Sequence, residues 1–239
     1  MNIFVALEHV THVPWVIWSA LFVALLLVTT GFLVRARLAA AGGGIIPDEG
    51  VSVRNLVELV VEFLSGLARE TMGEGWRKYF PLMGTIFLFI LISNLIGLIP
   101  GIGGATSNAN TTYAWAFISF AAFQYVGIKE HGWSYINHFL GPSLFEATVF
   151  GKKIHMRVLA PIYAPIELIG HLARIFTLAI RLLANMFADH TVVAVWLMLL
   201  PPVVPAIFMG LGVLVAVLQA YVFTLLSMIY IGLALEEAH

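Results

Sequence analysis

"TVVAVWLMLLPPVVPAIFMGLGVLVAVLQAYVFTLLSMIYIGLAL", residues 191–235, contains no Asp, Glu, Lys, Arg or His. It is long enough for about two membrane spans of roughly 20 residues each. A second run, residues 79–128, also lacks Asp, Glu, Lys and Arg. The composition of the whole chain agrees: of 239 residues, 61% are hydrophobic and 10% are charged, against about 25% charged in a typical soluble domain. A polytopic membrane protein accounts for these runs, whereas a soluble domain would have to leave its loops uncharged. The absence of cysteine removes disulfide and thiol chemistry, and the net charge of −1 gives no broad basic footprint for nucleic acid.

Working outward, the spans fall in order. Residues 13–34 ("VPWVIWSALFVALLLVTTGFLV") form the first. The segment before them has no Lys or Arg, while Arg35 and Arg37 follow, which is the wrong flank for a signal peptide. Residues 1–38 are therefore expected to be an external N-terminus with a retained first span. Residues 39–79 are expected to be a cytoplasmic linker, broken by glycines and Pro47, followed by an amphipathic surface helix. In that helix Leu56, Leu59, Val60, Phe63, Leu64 and Leu67 recur at helical spacing among Arg54, Glu58, Glu62, Arg69 and Glu70. Residues 80–128 carry the second and third spans around the uncharged turn "GIGGATSNAN". Residues 129–158 are a polar loop, and residues 159–239 are a pair of long, tilted helices parted by "PPVVP" (residues 201–205).

Basic residues orient this order. Arg35, Arg37, Arg54, Arg69, Arg77 and Lys78 lie between the first and second spans. Lys129, Lys152, Lys153 and Arg157 lie between the third and fourth, and the other connections carry none. The positive-inside rule then gives about five spans, with the N-terminus external and the C-terminus cytoplasmic. The expected fold is an all-α polytopic membrane protein.

The remaining two basic residues sit inside the fourth span. Glu167, His171, Arg174, Thr177, Arg181, Asn185 and Asp189 follow one another at intervals of three or four, one drifting stripe on a helix. Intramembrane charge is costly, so the stripe must face protein or water. Internally paired packing residues would satisfy this, and residues near the span's end, Glu167 and Arg174, could snorkel to the boundary. Arg181 lies too deep for that and has no acid at i±3 or i±4. It stays protonated under essentially all conditions, which suits a fixed positive field. The groups able to carry or solvate ions are Glu167, His171, Asp189 and His190. A secondary ion-coupled transporter is the competing reading, against which stand the lack of a convincing inverted repeat and the concentration of charge on one helix. "GIGGATS" lacks the lysine of a phosphate-binding loop and reads as a polar turn.

"RLLANMFADH" (residues 181–190) resembles the signature of subunit a in the membrane sector of F-type ATP synthase, with an arginine, an asparagine four residues on, and then methionine. "LQAYVFTLLSMIYIGLALEE" (residues 218–237) is similar to that family's final helix, and "NLIGLIP" (residues 94–100) and Asn110 also fit. The resemblance covers nearly the whole chain, with residues 1–49 weakly constrained. It implies a stator subunit in the bacterial plasma membrane that offers two half-channels to a rotating ring of carboxylate-bearing c subunits. The implied partners are that ring, the b subunits of the peripheral stalk and the rest of the complex, with proton or sodium coupling. The subunit itself would be non-catalytic and without cofactor or metal. By the same resemblance Arg181 faces the ring carboxylate and Asn185 stands one turn on. Glu167 belongs to the cytoplasmic half-channel, Gln219 lies near the arginine, and His190 belongs to the outer half-channel. Two positions depart from the family pattern: Asp189 stands where glycine is common, and Gly212 where histidine or glutamate is common. Either Asp189 replaces the missing group from the adjacent helix, or Gly212 makes room for water or for His190.

Overall fold

A computed structural model describes residues 3–40, 50, 52–99, 101–132, 145–149, 152–156, 160–199 and 203–236. Its helices are α1 (Ile3–Thr11), α2 (Trp15–Ala40), α3 (Val53–Met72), α4 (Trp76–Gly97), α5 (Ala109–His131), α6 (Ala160–Leu199) and α7 (Val203–Glu236). Short 3-10 turns, Gly73–Gly75 and Ala105–Ser107, join α3 to α4 and lead into α5. The membrane-length elements are all helical, as expected. The polar loop adds an antiparallel hairpin, Phe145–Val149 with Lys152–Met156, which no alternation in the sequence announced. Linker residues 41–49, residues 133–144, the Pro201–Pro202 break and the C-terminal "EAH" lie outside the described residues.

Four stretches are long and apolar enough to cross a membrane: Trp15–Ala39, Val53–Gly97, Ile169–Leu199 and Val203–Leu235. The helix α5 has 23 residues, about 34 Å of length, but its threonines, Ser119 and Gln124 dilute its apolar character.

The last helix is the hub. It packs against α3, α4, α5 and α6, whereas α6 rests mainly on α5 and α7 and leaves its other side open. The core joins Leu64, Met83, Ile86, Ile90, Phe123, Leu178, Leu182, Phe223, Met228 and Ile231. Ser119 Oγ donates to Ser227 Oγ at 2.7 Å inside it, tying α5 to α7 with a satisfied polar pair. Small residues allow the closest approach: a Cβ on Gly232 would collide with the Thr71 carbonyl oxygen of α3.

The helix α3 is capped by the Ser52 side chain, which accepts from the Asn55 amide. Leu64, Ala68 and Met72 face the bundle, while Leu56, Leu59 and Phe63 stay exposed. Arg54 is buried and pairs with Glu58 at 2.7 Å. Two ends of the bundle can be told apart. At one, the amide of Ile3 donates to Gly101 O and Ser19 Oγ donates to Gly103 O, which fixes α1 and α2 to the polar turn. At the other, Lys78 Nζ donates to Glu130 Oε1 at 2.7 Å and His131 Nε2 lies 2.7 Å from Ala234 O. Lys78 and Tyr79 hold the Glu130 carboxyl below the usual carboxylate range, and Glu130 in turn raises the Lys78 ammonium. Both groups are exposed beyond the apolar runs, so the pair marks the boundary more than it stabilises the fold.

Candidate functional site

Helix α6 buries Leu178, Ala179, Leu182, Met186 and Val193 against its neighbours. The polar stripe runs along one margin of that face and does not stay on a single side. His171 is 1% exposed. Arg174, Asn185 and Asp189 are half-buried, and Thr177 and Arg181 are exposed. The drift between a 3.6-residue turn and intervals of three or four spreads the stripe in this way. The Glu167 side chain lies outside the described residues.

Nearest the basic end, His171 stacks on Phe123 with ring centroids 5.4 Å apart and meets Phe120 at 6.1 Å. The Arg174 guanidinium lies over Tyr230 at 4.8 Å and over Phe123 at 5.8 Å. It is drawn onto aromatic faces of α5 and α7 instead of snorkelling outward. Thr177 Oγ1 donates to the Arg174 carbonyl at 3.2 Å, a local bond on the open face. One turn on, Arg181 projects from that open face. Among the described residues it has no hydrogen bond and no carboxylate partner.

Behind Arg181, Asn185 Nδ2 donates to Gln219 Oε1 at 2.7 Å, joining α6 to α7. Gln219 is 5% exposed, and its Nε2 has no acceptor among the described residues. Further along, Asp189 and His190 line a cleft of about 320 Å³ together with residues 97–99, residues 101–103, Val193, Ala194 and Leu197. Asp189 Oδ2 and His190 Nε2 are buried there without a hydrogen-bond partner among the described residues. Buried polar atoms are ordinarily satisfied, by protein partners or by water. The cleft opens at the polar-turn end.

Two residues that the motif reading passed over shape this region. Leu98 caps α4, its amide donating to Asn94 O. Its Cδ2 would stand 2.6 Å from a Cβ placed on Gly212. The space opposite Gly212 is therefore filled by Leu98 and not by His190. Gly97 comes equally close to α6: a Cβ there would lie 2.9 Å from Met186 Cε and 3.3 Å from His190 Nε2. The "NLIGLIP" motif held the signal for both, but its glycine and leucine reveal their partners only once α4, α6 and α7 meet.

No His, Cys, Asp or Glu cluster able to hold a metal occurs among the described residues.

The profile of a family described as ATP synthase A chain matches residues 16–232. The chain is 45% identical to ATP synthase subunit a 1 of Syntrophotalea carbinolica, over 98% of this chain and 88% of that relative. It is 41% identical to ATP synthase subunit a of Trichlorobacter lovleyi over 98% and 94% of the two chains. For ATP synthase subunit a of Geobacter sulfurreducens the identity is 46%, over 78% and 76%. The helix order, the arginine on the open face of α6 and these matches agree: the chain belongs to the ATP synthase A chain family.

Proposed function

We propose that Arg181 is the fixed charge against which the ion-carrying ring of the complex turns. The family assigns the chain its place: it is the stator subunit of the membrane sector of F-type ATP synthase, supplies the half-channels, and is itself non-catalytic. That membership sets aside the secondary-transporter reading. The observation that carries the role of Arg181 is its isolation. A guanidinium on an exposed helical face, with no counter-charge among the described residues, needs its partner from another chain.

That partner is a carboxylate on a ring of c subunits. It must be neutral to pass through lipid and charged to exchange its proton. Arg181 stabilises the ionised form and drives proton release as each carboxylate arrives. The Asn185–Gln219 pair stands one turn behind it, and the unpaired Gln219 Nε2 offers the arriving oxygen or a water a further donor. The Asp189–His190 cleft serves the outer half-channel, its open end at the polar turn. The family resemblance gives Glu167 to the inner half-channel, His171 and Arg174 border it, and Thr177 shares the ring-facing side with Arg181. Because Arg181 separates the two half-channels electrostatically, protons cross only when the ring steps. The membrane potential contributes about 2.3 kcal/mol per elementary charge for each ~100 mV.

The assembly is the bacterial plasma-membrane complex, with the c ring, the b subunits of the peripheral stalk and the catalytic sector as partners. Here α5 is a fifth crossing, because α4 and α5 run between the same two ends of the bundle. The helix α3 lies at the cytoplasmic boundary with Leu56, Leu59 and Phe63 available to lipid or a neighbouring subunit.

Proton pumping by ATP-energised membrane vesicles tests the assignment. Arg181→Ala abolishes coupled pumping while the complex still assembles, and passive leak rises as the barrier between half-channels weakens. Near-normal coupled pumping by this variant would rule the role out.

A further inference from the structure

We infer that the aromatic faces of Phe123 and Tyr230 hold Arg174 off the margin of α6 that it shares with Arg181, so that a single guanidinium meets the ring carboxylate. The inference rests on the ring-facing role of Arg181 proposed above. Arg174 precedes Arg181 by seven residues, two turns and about 10.5 Å along the axis. Positions seven apart on a straight helix point within about 20° of each other. The backbone therefore aims both arginines along one margin, yet their side chains part. Arg181 is exposed, and no aromatic ring lies under it among the described residues. Arg174 is half-buried, its guanidinium over Tyr230 at 4.8 Å and over Phe123 at 5.8 Å. Phe123 is itself held in place, buried and stacked on His171 with ring centroids 5.4 Å apart. The crevice between these rings and Ser119 has about 10 Å³ of free space, room for hardly one water.

The π faces are what keeps Arg174 there. Its guanidinium has no carboxylate partner among the described residues. The groups that α5 and α7 turn towards it, Ser119, Phe120, Phe123 and Tyr230, carry no charge. Phe123 and Tyr230 are thus positioning residues that act through Arg174. Without them the guanidinium would swing to the open face, two turns on the basic side of Arg181. A carboxylate leaving Arg181 in that direction would pass straight to a second permanent cation, and ion pairs away from bulk water are held tightly. It would stay ionised there, and the ring would stall on a charge that it cannot carry into lipid.

Tyr230, the nearer ring, is the residue to change, in the intact complex and at matched assembly. Tyr230→Leu removes the π face and should lower ATP-driven proton pumping several-fold. Tyr230→Phe keeps the face and should retain the pumping that Tyr230→Leu loses. Adding Arg174→Gln should lift Tyr230→Leu to the rate of Arg174→Gln alone, because the stray cation is gone. A merely structural void left by the ring would not be mended in this way. Phenylglyoxal, which condenses with accessible guanidinium groups, reads where the side chain lies. After peptide mapping, Arg174 should be modified several-fold more in Tyr230→Leu than in the parent or in Tyr230→Phe. If Tyr230→Leu does not assemble, Tyr230→Met, which keeps bulk without an aromatic face, takes its place. Unchanged modification of Arg174 would overturn the inference, and so would a double variant that pumps no better than Tyr230→Leu. Where Arg174 becomes reactive but pumping holds, Arg181→Ala separates the two roles. If that variant has lost pumping, the cage inference alone falls; if it too pumps normally, the ring-facing role of Arg181 falls with it.

Discussion

Asn185 and Asp189 stand one and two turns beyond Arg181, and their surroundings assign them different work. Asn185 is held to Gln219, so it orders the interface behind the arginine. Asp189 and the neighbouring His190 instead present unpartnered atoms to a cleft. Arg181 itself is held by nothing in its own chain among the described residues, which keeps its planar fork available to a passing carboxylate. Lysine at 181 would keep the charge but lose that geometry, and its stronger hydration favours a water over a ring carboxylate. Arg181→Lys therefore rescues little of the pumping that Arg181→Ala loses. His190→Ala is expected to lower proton flux strongly with assembly largely intact. His190→Glu should retain more, since a titratable group stays at the mouth of the same cleft. Flux through reconstituted stator–ring complexes across external pH checks this, and unchanged flux in both His190→Ala and Asp189→Asn would end the outer-pathway assignment. A histidine placed at 212 is not a simple substitute for Asp189, because Leu98 already occupies the volume it needs.

Between elements, the decisive contacts are those that let α7 touch four helices. Gly232 is one of them, its missing side chain allowing the Thr71 carbonyl of α3 to come close. Gly232→Val should disrupt this seam, at a cost typical of overpacking, about 1–3 kcal/mol. Detergent-solubilised complex is expected to show an earlier thermal loss of the subunit, whereas Gly66→Ala, with open space around it, should change little. An unchanged melting profile for Gly232→Val would mean that α3 does not pack as described. These seams also mark the limit of what the sequence makes legible. Residues 191–235 reveal helices because a membrane span needs length and apolarity alone, and Arg181 shows itself by standing uncharged neighbours apart. Which side of α6 each polar residue takes is not legible, because the stripe lies on a margin and the partner helices decide. Phe123 and Tyr230 are thirty or more positions from Arg174 in sequence, and only packing makes them its cage. Leu98 reads as one more apolar residue until Gly212 is opposite it. The helix α1 and the hairpin carry too little periodicity to be announced at all.

Taken as one body, the chain sorts its polarity by end. The polar turn, α1 and the start of α2 meet at one end through the Gly101 and Gly103 carbonyls. Lys78, Lys129, His131 and the last turn of α7 meet at the other. An odd number of crossings is needed to carry the chain from α1 at the first end to the close of α7 at the second. Five satisfies this when α5 spans, although its own composition is the least apolar of the candidates. Basic residues are retained on the cytoplasmic side during insertion, and every basic connection in this chain falls at the second end or in the loops that leave it. On the proposed topology the cleft with Asp189 and His190 opens outward, and the Arg174 cage faces the cytoplasm. This is the polarity a proton needs in order to enter by one half-channel and leave by the other. Reporter fusions are expected to read cytoplasmic after His239 and external within residues 101–110. A cytoplasmic reading at the turn would invert the whole arrangement, exchanging the two half-channels while leaving the packing around Arg181 untouched. A cytoplasmic reading at both sites would instead remove one crossing, and α5 would be the helix to surrender.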